Sequence, residues 1–389
     1  MHTPISISAI ASVSALGDSP KKVWESYVSK TPLFVKKSIG SQEVFVAKIS
    51  VDTEKALSQL KASRPSYKTL DRSVLLAILA SNYALQKIDI DKQTLDINLG
   101  SSRGATSLFE KYHTDFLHTG KVSPFTSPTT TLGNISSWVS QELGTRGIQI
   151  DQSVTCSTAM HSLLNGIAWL QADMARAFLV GGSEAALTPF TIAQMRALKL
   201  YSKATQNRAC ESMSFQKTKN TMVLGEAAGV ALLEKGISNR TLALIKGYGF
   251  ASEIITHNSS ITENAQSIQN AMMMALKKSD VTTVDAIIMH APGTVKGDLA
   301  EKNAIDTVFK DKQPLLTSNK WLVGHTFAAS GMLSIEMAIY MLQHNTFIEN
   351  PFYKNPRALP KRLQTVLVNA VGFGGNAVSI ILSLPNSSR

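Results

Sequence analysis

The stretch VTCSTAM (residues 154–160) decides the fold, because its single cysteine stands where a strand ends and an amphipathic helix begins. Apolar side chains then recur every three or four residues, the spacing of one buried helical face. Cys156 lies in the first helical turn, where free backbone N–H groups favour an anion. This position predicts a nucleophilic thiolate with a lowered pKa. The alternative is a small, buried apolar side chain.

The composition is that of a globular chain with room for a large core. The chain has 389 residues, of which 44% are hydrophobic, and this length favours two or three domains. No run of eighteen apolar residues occurs, so we expect no membrane span. Residues 1–17 carry no basic leader, and we therefore expect no cleaved signal and a cytoplasmic location.

The charge and the cysteine count narrow the kinds of partner. A formal net charge of +11 favours an acidic partner. The basic residues are dispersed, without zinc-finger spacing or an RNA-binding aromatic pattern, so we expect no nucleic acid. Cys156 and Cys210 are the two cysteines. Without clustered histidines they predict neither a disulfide framework nor a metal site.

Strand and helix patterns alternate along the chain, which predicts an α/β fold with a covered sheet. The linker-like segment KGISNR (residues 235–240) is followed by a second run of the same rhythm. We therefore expect two halves, 1–238 and 239–389, related by duplication. The polar segment SPFTSPTTT (residues 123–131) predicts an irregular loop. The predicted strands cover 5–15, 95–100, 149–155, 177–182, 225–234, 242–247, 286–289, 365–371 and 377–384, and predicted helices cover 74–85, 134–143, 265–277, 299–309 and 328–342.

Two histidines stand at positions that could complete a site around Cys156. His290 ends a predicted strand, and His325 follows Gly324 at a turn into a helix of small residues. Side chains at such ends project into the crevice where α/β proteins bind ligands. Each histidine alone could be structural, but together with Cys156 they favour a catalytic site.

The ordered motifs make the chain resemble the β-ketoacyl-(acyl carrier protein) synthases, condensing enzymes of thiolase fold. HAPGTVKGD (290–298) is similar to the family's His-Gly-Thr-Gly-Thr-x-x-Gly-Asp, and Asn319-Lys320, Gly324-His325 and GFGG (372–375) match further motifs. With His325 as the third residue and no late cysteine, the chain resembles the elongating Cys-His-His type. The resemblance implies a duplicated α/β/α/β/α layered sandwich.

The resemblance also implies the chemistry. Cys156 would carry an acyl group, and malonyl-acyl carrier protein would lose CO₂ to give the carbanion that attacks it. His290 and His325 would meet the enolate charge as neutral N–H donors. Lys320 and Glu301 would form a supporting pair that orients the histidines.

Further roles carried by the resemblance concern the acyl and carrier sites. The backbone N–H groups of Cys156 and Phe373 would form the oxyanion hole, and Phe373 would act as a gate between the half-reactions. Thr294 would bind the pantetheine arm of the carrier. No metal or organic cofactor is implied, because the substrates arrive on the phosphopantetheine of acyl carrier protein.

The basic charge suggests where the carrier docks. Lys61, Arg64 and Lys68 are predicted to form a landing patch for acidic acyl carrier protein, the alternative being a solvated surface. Family members are dimers, so we expect a homodimer, or a heterodimer with a related ketosynthase or chain-length factor, with residues 123–137 reaching the neighbour's site.

Three departures from the family pattern stand out. Pro292 replaces a threonine, residues 215–221 have lost the usual acids, and Asn376-Ala377 stand where Thr-Asn is usual. The departures favour a specialised type II system that makes a polyketide, polyene or aryl polyene over a housekeeping fatty-acid synthase. Two other functions stay open: a catalytically reduced chain-length-determining subunit, or a thioesterase or acyltransferase of the same fold.

Overall fold

The structure is a computed structural model, and it describes residues 3–39, 42–132, 134–206, 208–254, 261–279, 281–310 and 312–385. Strands in these ranges are β1 (Ile5–Val13), β2 (Val35–Ile39), β3 (Gln42–Ala47), β4 (Asp96–Gly100), β5 (Gln149–Gln152), β6 (Ala177–Glu184), β7 (Leu224–Gly225), β8 (Ala227–Lys235), β9 (Ala243–Ser252), β10 (Ala286–Ile288), β11 (Leu315–Thr317), β12 (Thr365–Gly372) and β13 (Asn376–Ser383). The α-helices are α1 (Pro20–Ser29), α2 (Val51–Ser63), α3 (Arg72–Leu85), α4 (Thr106–Thr119), α5 (Thr126–Thr130), α6 (Asn134–Leu143), α7 (Thr158–Gln171), α8 (Pro189–Ala197), α9 (Gln266–Ser279), α10 (Val295–Phe309), α11 (Lys320–Val323) and α12 (Ser330–Gln343).

Ten strands form one sheet, in the order β11-β10-β12-β13-β9-β1-β8-β6-β4-β5. Each half of this sheet has its first strand at the centre and its third at the edge. Within each half, the two strand pairs nearest the edge of the sheet are parallel, and the two strand pairs nearest its centre are antiparallel. The halves meet where β1 and β9 pair over three residues, with Ile5 opposite Ile245. The two halves therefore share one topology.

Helices cover the halves in layers. α3 and α6 pack on the outer face of the first half, and α9 and α10 pack on the outer face of the second. α7 and α12 pack against each other between the halves. The α/β/α/β/α layering implied by the resemblance is confirmed, whereas the boundary near residue 238 stays a prediction.

The contact between α7 and α12 is close because one of its residues is glycine. A Cβ atom added to Gly331 of α12 would lie 2.4 Å from Cγ of Met160 on α7, well inside van der Waals contact. Met160 is fully buried. The two central helices therefore approach each other more closely than alanine at residue 331 would permit.

Several sequence predictions fail around the polar loops. Residues 126–130 form the short helix α5, where threonine hydroxyls bond back to carbonyls four residues earlier; the predicted irregular loop was wrong. Helix α2 was missed despite its Ser50 cap and acidic first turn. Helix α4 was missed because its apolar residues Phe109 and Leu117 face outward, 63% and 67% exposed.

In the described part of the chain, none of the helices combines the length and apolar character needed to cross a membrane. A smaller sheet, β2-β3-β7, lies beside the large one. It positions the site directly, because Leu224 of β7 bridges to His325.

Candidate active site

Cys156 lies in a 3₁₀ turn, Thr155–Ser157, that joins the end of β5 to α7. Thr155 adopts a left-handed backbone, with φ of 49°, which is uncommon for a β-branched residue. Its hydroxyl donates to the carbonyl of Phe373 over 3.3 Å. Cys156 is 5% exposed and lines a cavity of about 580 Å³. The turn thus presents the sulfur to the cavity while keeping it from bulk water.

The thiol of Cys156 is protonated in this environment. Burial raises its pKa to about 12, and the carboxylate of Glu184 adds to the rise, while Lys320, Arg103 and a hydrogen bond from the Phe373 N–H act in the opposite direction. The predicted lowering of the pKa by the helix end was therefore wrong, because the cost of desolvating a thiolate outweighs the helix terminus here.

The two histidines share the cavity with Cys156. The ring centroids of His290 and His325 lie 5.1 Å apart with the planes at 89°, and the Phe327 ring lies 5.1 Å from His325. Burial, and then the charge of Lys320, lowers the pKa of His325 to about 3. Burial and the neighbouring His325 lower the pKa of His290 well below its ordinary value. Both rings are therefore neutral at physiological pH.

Glu301 holds the backbone at His290. Its carboxylate accepts hydrogen bonds of 2.9 Å from the N–H groups of His290 and Ala291, and one of 3.1 Å from the side-chain amide of Asn369. Ala291 has a positive φ of 25°, at a position where the family has glycine. Burial raises the pKa of Glu301 to about 7. The three hydrogen bonds stabilise this strained turn and so position the His290 ring.

Lys320 is buried, 1% exposed, and its ammonium donates to the side-chain oxygen of Asn319 over 2.9 Å. Among the described residues, Lys320 has no carboxylate within 4.0 Å, so it forms no direct ion pair with Glu301. Burial lowers the pKa of Lys320 to about 8, and the charge of Glu301 opposes this fall. The expected direct pair is therefore replaced by a longer-range electrostatic contact.

Phe373 and Thr294 both line the cavity. Phe373 occupies the hairpin between β12 and β13, and its carbonyl also accepts a 3.0 Å hydrogen bond from the Asn376 amide. Gly374 and Gly375 follow with φ of 95° and 75°, a backbone that favours glycine. Thr294 precedes α10 without making a capping hydrogen bond, which leaves its hydroxyl available to a substrate.

A buried ion pair that the sequence did not reveal supports this region. Lys217 and Asp298 lie 2.7 Å apart with side chains 2% and 0% exposed. Asp298 also accepts 3.0 Å hydrogen bonds from the N–H groups of Gly293 and Thr294. Residues 215–221, which lack the family's usual acids, thus still support the motif 290–298 that carries His290, and they do so through Lys217. The one signal of this pair in the sequence was Asp298, the last residue of the motif 290–298.

Two other side chains near the catalytic groups were also missed. Phe327 contacts His325 and has a left-handed φ of 44°, and Glu184 lies fully buried near Cys156. Neither position follows from a local pattern, because both depend on how β6 meets the turn before α12.

The predicted docking residues lie away from the cavity lining. Lys61 lies in the last turn of α2, and Lys68 lies in the 3₁₀ turn Pro65–Thr69. Arg64 forms a 3.0 Å ion pair with Glu142 and lies over the Tyr67 ring. All three docking residues are exposed. Within the described ranges, no group of three or more acidic, cysteine or histidine side chains could hold a metal ion.

Comparisons with known proteins agree with this geometry. Two solved structures have the same fold. The first is the ketosynthase ApeO in complex with its chain length factor ApeC from Xenorhabdus doucetiae, with TM-score 0.85, 20% identity and 98% of each chain covered. The second is the AntDE:AntF complex of a type II polyketide ketosynthase with its acyl-carrier protein, with TM-score 0.84, 17% identity and 99% of this chain and 100% of that chain covered.

Curated relatives and family models extend the comparison. The 3-oxoacyl-[acyl-carrier-protein] synthase 2 of Vibrio cholerae is 26% identical and covers 82% of this chain and 84% of its own, and that of Coxiella burnetii is 25% identical and covers 97% of each. The model for the N-terminal domain of β-ketoacyl synthases matches residues 2–237, and that for the C-terminal domain matches residues 242–353. The chain therefore belongs to the β-ketoacyl synthase family of enzymes.

Proposed function

We propose that this chain catalyses the decarboxylative Claisen condensation of an acyl group on Cys156 with malonyl-acyl carrier protein. The observation that carries the proposal is that Cys156 and two neutral imidazoles, His290 and His325, line one buried cavity. A nucleophile and two uncharged N–H donors are what acyl transfer followed by enolate formation requires.

In the first half-reaction the sulfur of Cys156 attacks the thioester carbonyl of the incoming acyl group. The C–S bond to the carrier's pantetheine breaks, and the thiol proton of Cys156 ends on the departing pantetheine sulfur. The proton passes from one sulfur to the other, so neither product is left with a charge on sulfur. The raised pKa of Cys156, about 12, makes this step slower than it would be for a thiol of ordinary pKa. The N–H groups of Cys156 and Phe373 would bind the transient oxyanion.

In the second half-reaction malonyl-acyl carrier protein loses CO₂, and the electron pair moves to its thioester oxygen. The N–H groups of His290 and His325 would bind that enolate oxygen. The enolate carbon then attacks the acyl-Cys156 carbonyl, the C–S bond breaks, and the released thiolate takes up a proton from solvent. Neutral rings suffice for this step, because a neutral imidazole still carries one N–H donor.

Thr294 would bind the pantetheine arm, and Lys61, Arg64 and Lys68 would receive the acidic carrier, in keeping with the net charge of +11. Because Arg64 is already paired with Glu142, Lys61 and Lys68 should contribute more to docking. The Phe373 gate would have to release the two hydrogen bonds on its carbonyl.

A second chain would complete the assembly. β5 is an edge strand of the ten-stranded sheet, and the segment of chain between β4 and β5 exposes large apolar side chains: Phe109, Phe116, Leu117, Phe125, Leu132 and Ile148. A free strand edge and exposed apolar side chains both favour burial against a partner. The partner is either a second copy or a related chain such as a chain-length factor. The product system is a specialised type II pathway, in keeping with Pro292 and the altered 215–221 segment.

One observation favours the catalytically reduced, chain-length-determining role as the second candidate: the thiol of Cys156 is buried with a raised pKa. The discriminating experiment incubates the protein with acyl-acyl carrier protein and then malonyl-acyl carrier protein, and follows protein and product masses. Condensation requires an acyl adduct on Cys156 and a product longer by two carbons.

The Cys156→Ala variant is the control and should give neither adduct nor product. An adduct without carbon–carbon bond formation would favour an acyltransferase or thioesterase. Resistance of Cys156 to a cerulenin-like electrophile, together with a continued requirement for the chain in the assembled pathway, would favour the chain-length role.

A further inference from the structure

The outer end of the catalytic cavity is basic. Cys156 and His290, 5% and 4% exposed, lie at its inner end, whereas Thr218 and Lys296 also line it and are exposed. Lys296 is the only lysine or arginine among the described lining residues. The thiol and the two imidazoles at the inner end are uncharged. A permanent positive charge therefore lines the cavity only where it opens to solvent.

Asn220, another lining residue, brings two further lysines to the same place. Its side-chain oxygen accepts a 2.8 Å hydrogen bond from the N–H of Val295, the residue before Lys296. Its side-chain amide donates to the carbonyl of Lys199 over 3.0 Å, and Lys219 is the residue before it. One side chain thus ties together three segments that each carry a lysine. These three residues, Lys199, Lys219 and Lys296, are called the lysine triad.

The lysine triad is exposed and carries uncompensated charge. All three side chains are exposed, and within the described ranges no carboxylate lies within 4.0 Å of their ammonium groups. Lys219 also belongs to the segment 215–221, which lacks the family's usual acids. Like charges that the backbone brings together repel one another, and a bound anion relieves that repulsion. The triad is therefore suited to an anionic group that arrives at the opening of the cavity.

We propose that the lysine triad binds the phosphate at the outer end of the pantetheine arm that delivers the acyl group. Pantetheine itself is uncharged, so this phosphate is the charge that the arm brings to the opening. An arm whose thioester lies at Cys156 and which passes Thr294 leads outward to Lys296, two residues further along the chain. Lysine binds phosphate as a point charge.

The inference rests on the proposed acylation of Cys156 and names the residues that recognise the donor beyond Thr294. Acyl carrier protein and coenzyme A both carry a phosphate at this end of the arm, as a phosphodiester and as a diphosphate. The predicted docking residues Lys61, Arg64 and Lys68 lie away from the cavity lining, so the triad is a separate, inner basic site.

The first test compares acylation of the full-length protein by hexanoyl-pantetheine and hexanoyl-phosphopantetheine, with initial rates read from the intact mass of the acyl-Cys156 protein. The wild type should prefer the phosphorylated donor about tenfold, the effect of a hydrogen bond to a charged group, and added salt should reduce this preference. The double variant Lys219→Met/Lys296→Met should remove most of it. The ratio of the two rates is the readout, so a general loss of activity does not enter the comparison.

Two further variants control for charge. Lys87→Met/Lys277→Met removes the same two charges at exposed lysines that do not line the cavity, and it should keep the wild-type ratio. Lys219→Arg/Lys296→Arg keeps the local charge and should keep most of the preference. Hexanoyl-coenzyme A distinguishes the two sources of phosphate. A rate equal to that of hexanoyl-phosphopantetheine assigns the triad to a single phosphate, as on the carrier, whereas a further gain assigns it to the additional phosphates of the nucleotide.

The second test separates failure of this inference from failure of the proposed function. Amide analogues of the pantetheine and phosphopantetheine thioesters are titrated calorimetrically into Cys156→Ala, with and without Lys219→Met/Lys296→Met, so that the readout needs no catalysis. Tighter binding of the phosphorylated analogue that disappears with the two lysine substitutions supports the site even if no thioester acylates the wild type. Equal affinities of the two analogues, or the same ratio with and without these substitutions, would overturn it.

Discussion

The rings of His290 and His325 meet edge to face, with centroids 5.1 Å apart, although 35 residues separate them in the chain. His290 follows β10 and His325 follows α11. Burial and then the neighbouring His325 lower the pKa of His290, while burial and then the charge of Lys320 lower the pKa of His325. The pair therefore behaves as one uncharged donor unit.

Removing either ring should impair decarboxylation more than acyl transfer. We expect His290→Ala and His325→Ala to slow CO₂ release from malonyl-acyl carrier protein by about 10²-fold or more, the usual effect of losing one oxyanion donor. Formation of acyl-Cys156 should fall much less, because we propose that the backbone N–H groups of Cys156 and Phe373 bind its oxyanion. Carbon dioxide release and intact mass measure the two steps separately, and equal losses in both would contradict the assignment of roles.

The neutrality of the pair can be measured directly. Because the pKa of His325 is lowered to about 3, its ring should stay neutral as the pH falls through 6.5, where an ordinary histidine gains its proton. Heteronuclear NMR of histidine-labelled protein, assigned with His325→Asn and referenced to the exposed His118 ring, reports this state. A protonation midpoint near 6.5 at His325 would be incompatible with the buried arrangement.

Breaking the Lys217–Asp298 pair should destabilise the fold. Lys217→Met leaves the fully buried Asp298 carboxylate without its cation, and we expect a loss of about 3–5 kcal/mol in the free energy of unfolding. Adding Asp298→Asn should restore part of the loss, because the uncompensated charge is gone. The matched control is Lys235→Met, whose partner Asp173 is 82% exposed, and it should cost no more than about 1 kcal/mol. Denaturant unfolding distinguishes the two, and similar losses would show that burial of the pair has no energetic consequence.

Glu336 should make stability depend on pH without touching the site. It is buried on α12 and accepts a 2.6 Å hydrogen bond from Ser12, and burial raises its pKa from 4.5 to about 7. As the pH rises above 4.5, Glu336 loses its proton in the unfolded chain before it does so in the folded protein. Its contribution to the free energy of unfolding is therefore present below pH 4.5 and is lost by about pH 7. At about 1.4 kcal/mol per pH unit, Glu336→Gln should gain roughly 3 kcal/mol on the wild type across this range.

Unfolding in denaturant at pH values from about 4.5 to about 7.5 tests this expectation. The same series on Glu25→Gln, where the carboxyl is 60% exposed, is the control. If the difference between Glu336→Gln and the wild type does not change with pH, the carboxyl is ionised in the folded state and the expectation fails.

The sequence predicted the site better than its electrostatics. Cys156, His290 and His325 could be placed together because Cys156 and His290 follow predicted strands and His325 lies at a turn into a predicted helix. Such ends converge at one edge of an α/β sheet. The direction of the Cys156 pKa could not be predicted, because it depends on burial by Phe327 and Phe373, residues far away in the chain. A local helix signal contains no information about that depth.

The missed elements have a similar cause. Lys217 and Asp298 are 81 residues apart, and no periodic pattern links them. Helix α4 directs Phe109 and Leu117 outward, so its apolar residues do not form the inward stripe by which an amphipathic helix is recognised. Arg103 follows a strand as a single charge, and only the packed turn brings it to Phe327.

The close approach of Gly331 to Met160 has a consequence for how this chain can vary. α7 carries the nucleophile at its beginning, and α12 follows directly on the segment that carries His325. A wider spacing of these two helices by about 1 Å would be enough to misalign sulfur and enolate, and such a misplacement can cost about 10²-fold in rate. The geometry of the reaction thus depends on residue 331 being glycine, a residue that exchanges neither a proton nor an electron pair. Substitutions in the lining of the cavity can alter what is made, whereas a larger residue at this helix crossing would slow the synthesis itself.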